Sequence, residues 1–238
     1  MSTNHKVARI VGILFVIGTV AGILSVVFAQ PILESSGYLS EVSANQNQLI
    51  IGALLVLVMG FALAMIPVLL FPIFRQYNEP LALGSVVFRG VLEAVAYIVI
   101  AMGWLLLIPL SRAYVAAGTQ DASSFEAVGL LLLESVGWMN HILAIVFSLG
   151  ALMIYYLFYE SRLIPQWLSL WGLVGAILYL AVPLLGMFGM ELGFLMAPLA
   201  LQEMVLAAWL IVKGMPVKQD DGLLPSPHRQ PGFQNNVY

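Results

Sequence analysis

Residues 49–74 read LIIGALLVLVMGFALAMIPVLLFPIF, a run without a single charged side chain. At ~1.5 Å of rise per residue, a helix of that length reaches about 39 Å, more than the ~30 Å hydrocarbon core of a bilayer. Backbone N–H and C=O groups find no water partners inside lipid, so such a segment must satisfy them internally, as a helix does. The strands of a membrane barrel would alternate apolar and polar residues, and this run does not.

Working outward, runs of the same kind occupy residues 8–29, 81–108, 138–158, 167–188 and 193–212. The composition agrees. Hydrophobic residues make up 61% of the chain and charged residues 9%, against ~45–50% and ~25% in soluble domains. So few charges cannot cover the surface of a water-soluble fold of this size, so most of the surface is expected to face lipid. The expectation is an all-α, polytopic integral membrane protein. Residues 1–213 would form a six-transmembrane-helix bundle, and residues 214–238, with Pro216, Pro225, Pro227 and Pro231 and little apolar surface, a disordered tail. The first run follows Lys6 and Arg9 as a signal peptide would. It is nearer 20 residues than the ~7–15 of a signal core, and is read as a retained helix.

The basic residues set the orientation. With the N-terminus in the cytoplasm, Lys6, Arg9, Arg75, Arg162, Lys213, Lys218 and Arg229 all fall inside. Arg112 alone falls outside and Arg89 lies within a span, an asymmetry that predicts both termini in the cytoplasm. Between spans three and four, about residues 124–135, an external amphipathic helix is expected to lead into span four. Ser123 or Ser124 would cap it, with Glu126 in its first turn.

Ionisable groups within the spans carry the functional signal, because a charge at a helix centre costs ~2.5–3.5 kcal/mol or more. Ser85, Arg89, Glu93 and Tyr97 recur every four residues on span three, forming one stripe on which Arg89 and Glu93 can pair. Glu203 on span six, beside Gln202, lies ten residues before Lys213, hence ~15 Å from the cytoplasmic face and level with Arg89 and Glu93. Arg89, Glu93, Tyr97, Gln202 and Glu203 form the candidate intramembrane polar site. One guanidinium facing two carboxylates leaves an excess negative charge, which a proton on one Glu, a bound cation or a cationic ligand would remove. Pro198 is expected to kink span six and free a backbone carbonyl there as a further ligand oxygen. A second face, on span four, carries Glu134, Trp138, His141, Ser148 and Tyr155, with Asn140 pointing elsewhere. The same Arg–Glu–Glu set can also serve only to clamp helices three and six together.

Other chemistry is excluded or unsupported. The chain has no cysteine, so disulfides, thiolate nucleophiles and Cys-ligated metals are out. Of its three histidines only His141 lies in a span, which leaves no multi-histidine haem or zinc site, and neither a cofactor nor a metal is expected. H-E-x-x-H, G-x-S-x-G and phosphate-binding glycine loops are missing, which weighs against an enzyme. The few basic residues are scattered, so nucleic acid is not a partner.

Several segments together resemble one known family. They are Phe74 to Glu79 with Leu81-Ala82-Leu83; Phe88-Arg89 with Glu93-Ala94; Leu133-Glu134; Ser161-Arg162-Leu163-Ile164-Pro165; Leu168-Ser169-Leu170-Trp171-Gly172; Ala200-Leu201-Gln202-Glu203-Met204; and Trp209-Leu210-Ile211-Val212-Lys213-Gly214. The combination is similar to the bacterial membrane family catalogued as domain of unknown function 4386, over about residues 8–214. The resemblance implies a multi-pass protein of a bacterial or archaeal inner membrane, and implies no activity. The leading expectation is therefore binding or movement of a small ligand, ion or proton through a polar centre formed by spans three, four and six. One alternative is a non-catalytic sensor or partner subunit. Another is an intramembrane enzyme acting on a lipid-like substrate, with Glu93, Glu203 or His141 as acid or base. The lipid bilayer is the partner in each, and a small molecule, ion or lipid the ligand.

Overall fold

A computed structural model describes residues 3–118 and 122–216. Most of the expected tail, with Lys218, His228 and Arg229, lies outside the described residues. Within them the regular elements are helical: α1 (Thr3–Leu33), α2 (Tyr38–Ala44), α3 (Gln46–Phe74), α4 (Glu79–Ser85), a π-helical stretch (Val86–Leu92), α5 (Glu93–Ala117), α6 (Ala122–Ser161), α7 (Gln166–Gly186), a 3-10 turn (Gly193–Met196) and α8 (Ala197–Val212). Six of the resulting rods are long and apolar enough to cross a bilayer; α4, the π-helical stretch and α5 form the third and the 3-10 turn with α8 the sixth. The protein is a multi-pass, all-helical membrane protein.

The spans form a closed ring. Each packs against its neighbours in sequence, and α8 returns to pack on α1. Small residues permit these approaches. A Cβ placed on Gly12 would stand 2.7 Å from the Ala207 carbonyl oxygen of α8, and one on Gly18 would stand 2.7 Å from Leu63 of α3. In a bilayer, apolar burial between helices is replaced by van der Waals fit, so backbone proximity at such positions carries the association. The outward faces are apolar, as lipid contact requires. On α1 the exposed residues include Ile13, Val20, Ile23 and Val27.

Local chemistry sets the turns at the end that carries most of the basic residues. Asn78 caps α4 by accepting from Leu81 N at 3.2 Å, and Pro80 follows in the first turn, where its missing N–H costs nothing. Arg162 leaves α6 at φ 54°, and Pro165 starts α7. Phe74 and Phe158 meet edge to face at 4.9 Å and join the ends of α3 and α6. His5 Nδ1 lies 2.9 Å from the Met215 carbonyl, bringing the start of α1 to the end of α8.

Three features add to or correct the expectations. Residues 124–135 and span four belong to one helix, α6, which runs unbroken for 40 residues. No proline interrupts it, and Gly137 alone costs a helix only ~1 kcal/mol. At ~60 Å, α6 is about twice the hydrocarbon thickness, and its first turns, before Leu132 and Leu133 pack beside Leu49 of α3, overhang the ring. The overhang is tied down by Tyr38, whose hydroxyl donates to the Glu126 carbonyl at 3.1 Å, and by Tyr114, which lies 3.3 Å from the Glu126 carboxylate. Burial first, then the Glu126 carboxylate and Tyr114, hold the Tyr38 hydroxyl above the ordinary tyrosine range. Second, the segment between spans one and two contains α2, and Arg112 bonds Gln46 at the start of α3 beside it.

The third feature concerns Pro198. It does not kink span six but sits in the first turn of α8. The carbonyl it was expected to free belongs to Phe194, and that oxygen accepts the Ala197 N–H of the 3-10 turn. No ligand oxygen arises there. The 3-10 rise of ~2.0 Å per residue, added to the 16 residues of α8, gives the sixth rod about 32 Å, enough to cross.

Candidate functional site

Arg89 is the centre of the ring. It lies in the π-helical stretch, whose i→i+5 bonding rotates its residues out of the register an α-helix would impose. The stretch fits against α6 at Gly150, where a Cβ would stand 2.7 Å from Arg89 Cβ and 2.9 Å from its amide nitrogen. Only a residue without a side chain allows this approach. The guanidinium then extends between two aromatic faces, 4.3 Å from the centroid of Phe147 and 5.8 Å from that of Phe15. Both lie within the ~6 Å range in which a ring face attracts a cation.

Glu203 on α8 meets this cation. Arg89 Nη2 donates to Glu203 Oε1 at 2.8 Å, and the Tyr155 hydroxyl of α6 donates to the same oxygen at 3.5 Å. Glu93 is farther, with its Oε2 at 3.9 Å from Arg89 Nη1. Among the described residues, neither oxygen of Glu93, nor Arg89 Nη1, has a hydrogen-bond partner within ordinary geometry. The altered register of the π stretch explains why the expected four-residue pairing is loose. Three ionisable groups thus converge, with one positive charge facing two carboxyls.

The three differ in access. Arg89 and Glu93 are 1% exposed, whereas the Glu203 side chain is 13% exposed. Glu203 lines a cavity of about 440 Å³ together with Thr19 of α1, Tyr97 of α5, Asn140 of α6 and Tyr179 of α7. Apolar side chains complete the wall, among them Met59, Leu63, Leu143 and Met196. A mostly apolar concavity of this size with a few convergent polar groups has the form of a small-molecule site.

The other sequence candidates lie elsewhere. Tyr97 reaches the cavity and packs on α3 at Gly60. Gln202 is fully buried but turns to α7, where its Nε2 donates to the Leu168 carbonyl at 3.1 Å and its Oε1 is left without a partner. Adjacent residues on a helix point ~100° apart, so Gln202 and Glu203 cannot share one site. Glu134 and Trp138 are exposed on the outer side of α6. His141 is half-buried and packs against Gly186 at the end of α7 and the Trp138 ring. None of these three lines the cavity; from the same expected face Tyr155 reaches Glu203, and span four otherwise contributes Asn140 and Phe147. Asn140, Tyr179 and Thr19 were missed because uncharged polar side chains in a span carry little signal until the packing of their helices is known. Among the described residues no cluster of metal-ligating side chains is present.

No curated protein and no solved structure matches this chain. Residues 10–214, from the first turns of α1 to the end of α8, match the family described as Domain of unknown function (DUF4386). That match covers the entire ring and every residue of the polar centre, and the chain belongs to this family.

Proposed function

We propose that this membrane protein binds or moves a small ligand, ion or proton at the Glu203 wall of its intramembrane cavity. The observation that carries the reading is the difference in access within one charge cluster. Arg89 and Glu93 are sealed, while Glu203 keeps one carboxylate oxygen clear of both the Arg89 and Tyr155 bonds and faces open volume. A cluster that served packing alone would gain nothing from leaving a carboxylate beside a void, since empty space forfeits dispersion contacts.

The membrane is proposed to be the cytoplasmic membrane of a bacterium or archaeon, with both ends of the ring inside. The clustering of His5, Arg162 and Lys213 around one groove at one end of the bundle supports this orientation. Purified protein in liposomes tests the transport version. Dissipation of an imposed proton, ion or solute gradient that disappears in Glu203→Gln supports it. Leak no faster than in empty liposomes, with a Glu203→Gln strain of unaltered phenotype, contradicts it.

A second reading has its own support. The Arg89–Glu203 bond joins the third rod to the sixth, with the Arg89–Glu93 pair sealed behind it, as a clamp in a non-catalytic partner subunit would. Purification with one stoichiometric partner protein, together with full function in an Arg89→Met, Glu93→Leu, Glu203→Leu variant, would favour it over the ligand site.

A further inference from the structure

We infer that the ligand of this cavity is an organic monocation with an apolar body, an ammonium or similar onium group entering from the bilayer with its charge directed at Glu203. The inference rests on the ligand-site reading above and names the class of ligand.

Charge comes first. The cluster holds two carboxyls and one guanidinium, and the guanidinium is turned away from the cavity. It is 1% exposed, stacked on Phe147, and spends its one short bond on Glu203 Oε1. A ligand in the cavity therefore meets the carboxylate and not the arginine. In a low-dielectric wall that excess favours a positive guest and repels a negative one.

The lining argues for an organic guest over an inorganic one. Sodium, potassium or calcium ions need several oxygen ligands each to replace their water. The wall offers one carboxylate and otherwise Thr19, Tyr97, Asn140 and Tyr179 spread over four helices, with methionine, leucine and alanine between them. An ammonium group needs less. One N–H or the diffuse charge of an onium pairs with Glu203, and the lining includes Tyr97 and Tyr179, whose aromatic rings are of the kind that attracts cations. The Met59, Leu63, Leu143 and Met196 surfaces then cover the apolar remainder.

Geometry fixes the route. Ile23 of α1 and Ala200 of α8 both line the cavity and are both exposed, which assigns them to its rim between α1 and α8. Ile23 is about 22 Å along α1 from Ala8, and Ala200 about 20 Å along α8 from Lys213, which places the opening in the leaflet away from the basic end. α1 and α8 touch nearer that end, where Gly12 meets Ala207. A guest that reaches the rim must first dissolve in lipid, which selects an amphiphilic cation.

The test uses the full-length protein in nanodiscs of phosphatidylcholine, whose uncharged surface does not gather cations, with empty nanodiscs as blank. The probes are benzyltrimethylammonium, its neutral isostere neopentylbenzene, and the anion benzenesulfonate. Binding of the cation in clear preference to both others is the expected result. Glu203→Gln should weaken cation binding by about tenfold or more while leaving the neutral probe unaffected. Ala200→Trp, which fills the rim, should abolish binding of the cation while the protein elutes as the native species. Equal or tighter binding of the neutral isostere overturns the cation assignment and leaves the ligand-site reading standing. Binding of none of the three probes overturns the organic-cation assignment, while the ligand-site reading falls separately, on the absence of Glu203-dependent flux in liposomes. Cation binding that survives Ala200→Trp overturns the placement in this cavity.

Discussion

Arg89 and Glu203 are 114 residues apart in the chain and meet through one 2.8 Å hydrogen bond, with the guanidinium stacked on Phe147 behind it. This bond ties the third rod of the ring to the sixth, and it separates a sealed half of the charge cluster from a half that faces a cavity.

Breaking the pair from one side should be costly. Arg89→Met leaves Glu93 and Glu203 buried together without a cation, and removal of one partner of a buried ion pair typically destabilises by ~3–5 kcal/mol. Combining it with Glu93→Leu and Glu203→Leu removes the uncompensated charges and should recover most of that loss. Equilibrium unfolding in mixed detergent micelles measures both. A triple variant no more stable than Arg89→Met would contradict the electrostatic explanation.

Gly150 should tolerate no side chain. Its absent Cβ leaves room for the backbone of Arg89, and neither backbone can yield independently of its helix. Gly150→Val is expected to cost ~1–3 kcal/mol through overpacking and to displace the guanidinium. Gly137, on the same helix, is the control, because a Cβ there would meet nothing within 4 Å. Gly137→Ala should be neutral or stabilising by up to ~1 kcal/mol. Unfolding curves in which both substitutions behave alike would show that α6 does not depend on this close approach.

Orientation is open to a direct test because the chain has no cysteine of its own. Single cysteines at the exposed positions Ser36 and Ser123 should react with an impermeant maleimide added outside intact cells. Cysteines at Gln76 and Gln166, at the opposite end, should react only after permeabilisation. The reverse pattern would place the basic end outside.

How much of this was legible beforehand follows from which physical signals are local. The spans were, because length and lack of charge decide them, and residues 49–74 sit within α3. Counting ~1.5 Å per residue from Lys213 also put Glu203 level with Arg89, and in the structure the two are bonded. The π-helical stretch was not legible, since VVFRGVL carries no sequence mark distinguishing i→i+5 from i→i+4 bonding. Nor was the choice between Asn140 and His141. They point ~100° apart, and only the packing of α6 against α7 decides which one meets the cavity. Pro198 misled because a proline within an apolar run signals a kink in the interior of a helix and a normal first turn at its start.

The most direct measurement concerns unequal access of the two carboxyls. Dicyclohexylcarbodiimide, an apolar reagent that reaches carboxyl groups from the hydrocarbon phase, is applied to the protein in liposomes at mildly acidic pH, and adducts are located by mass spectrometry. Glu203, at the cavity wall, is expected to carry the adduct while Glu93, 1% exposed behind it, does not. An adduct on Glu93 without one on Glu203, or on neither, would contradict the assignment of Glu203 as the ligand-facing group.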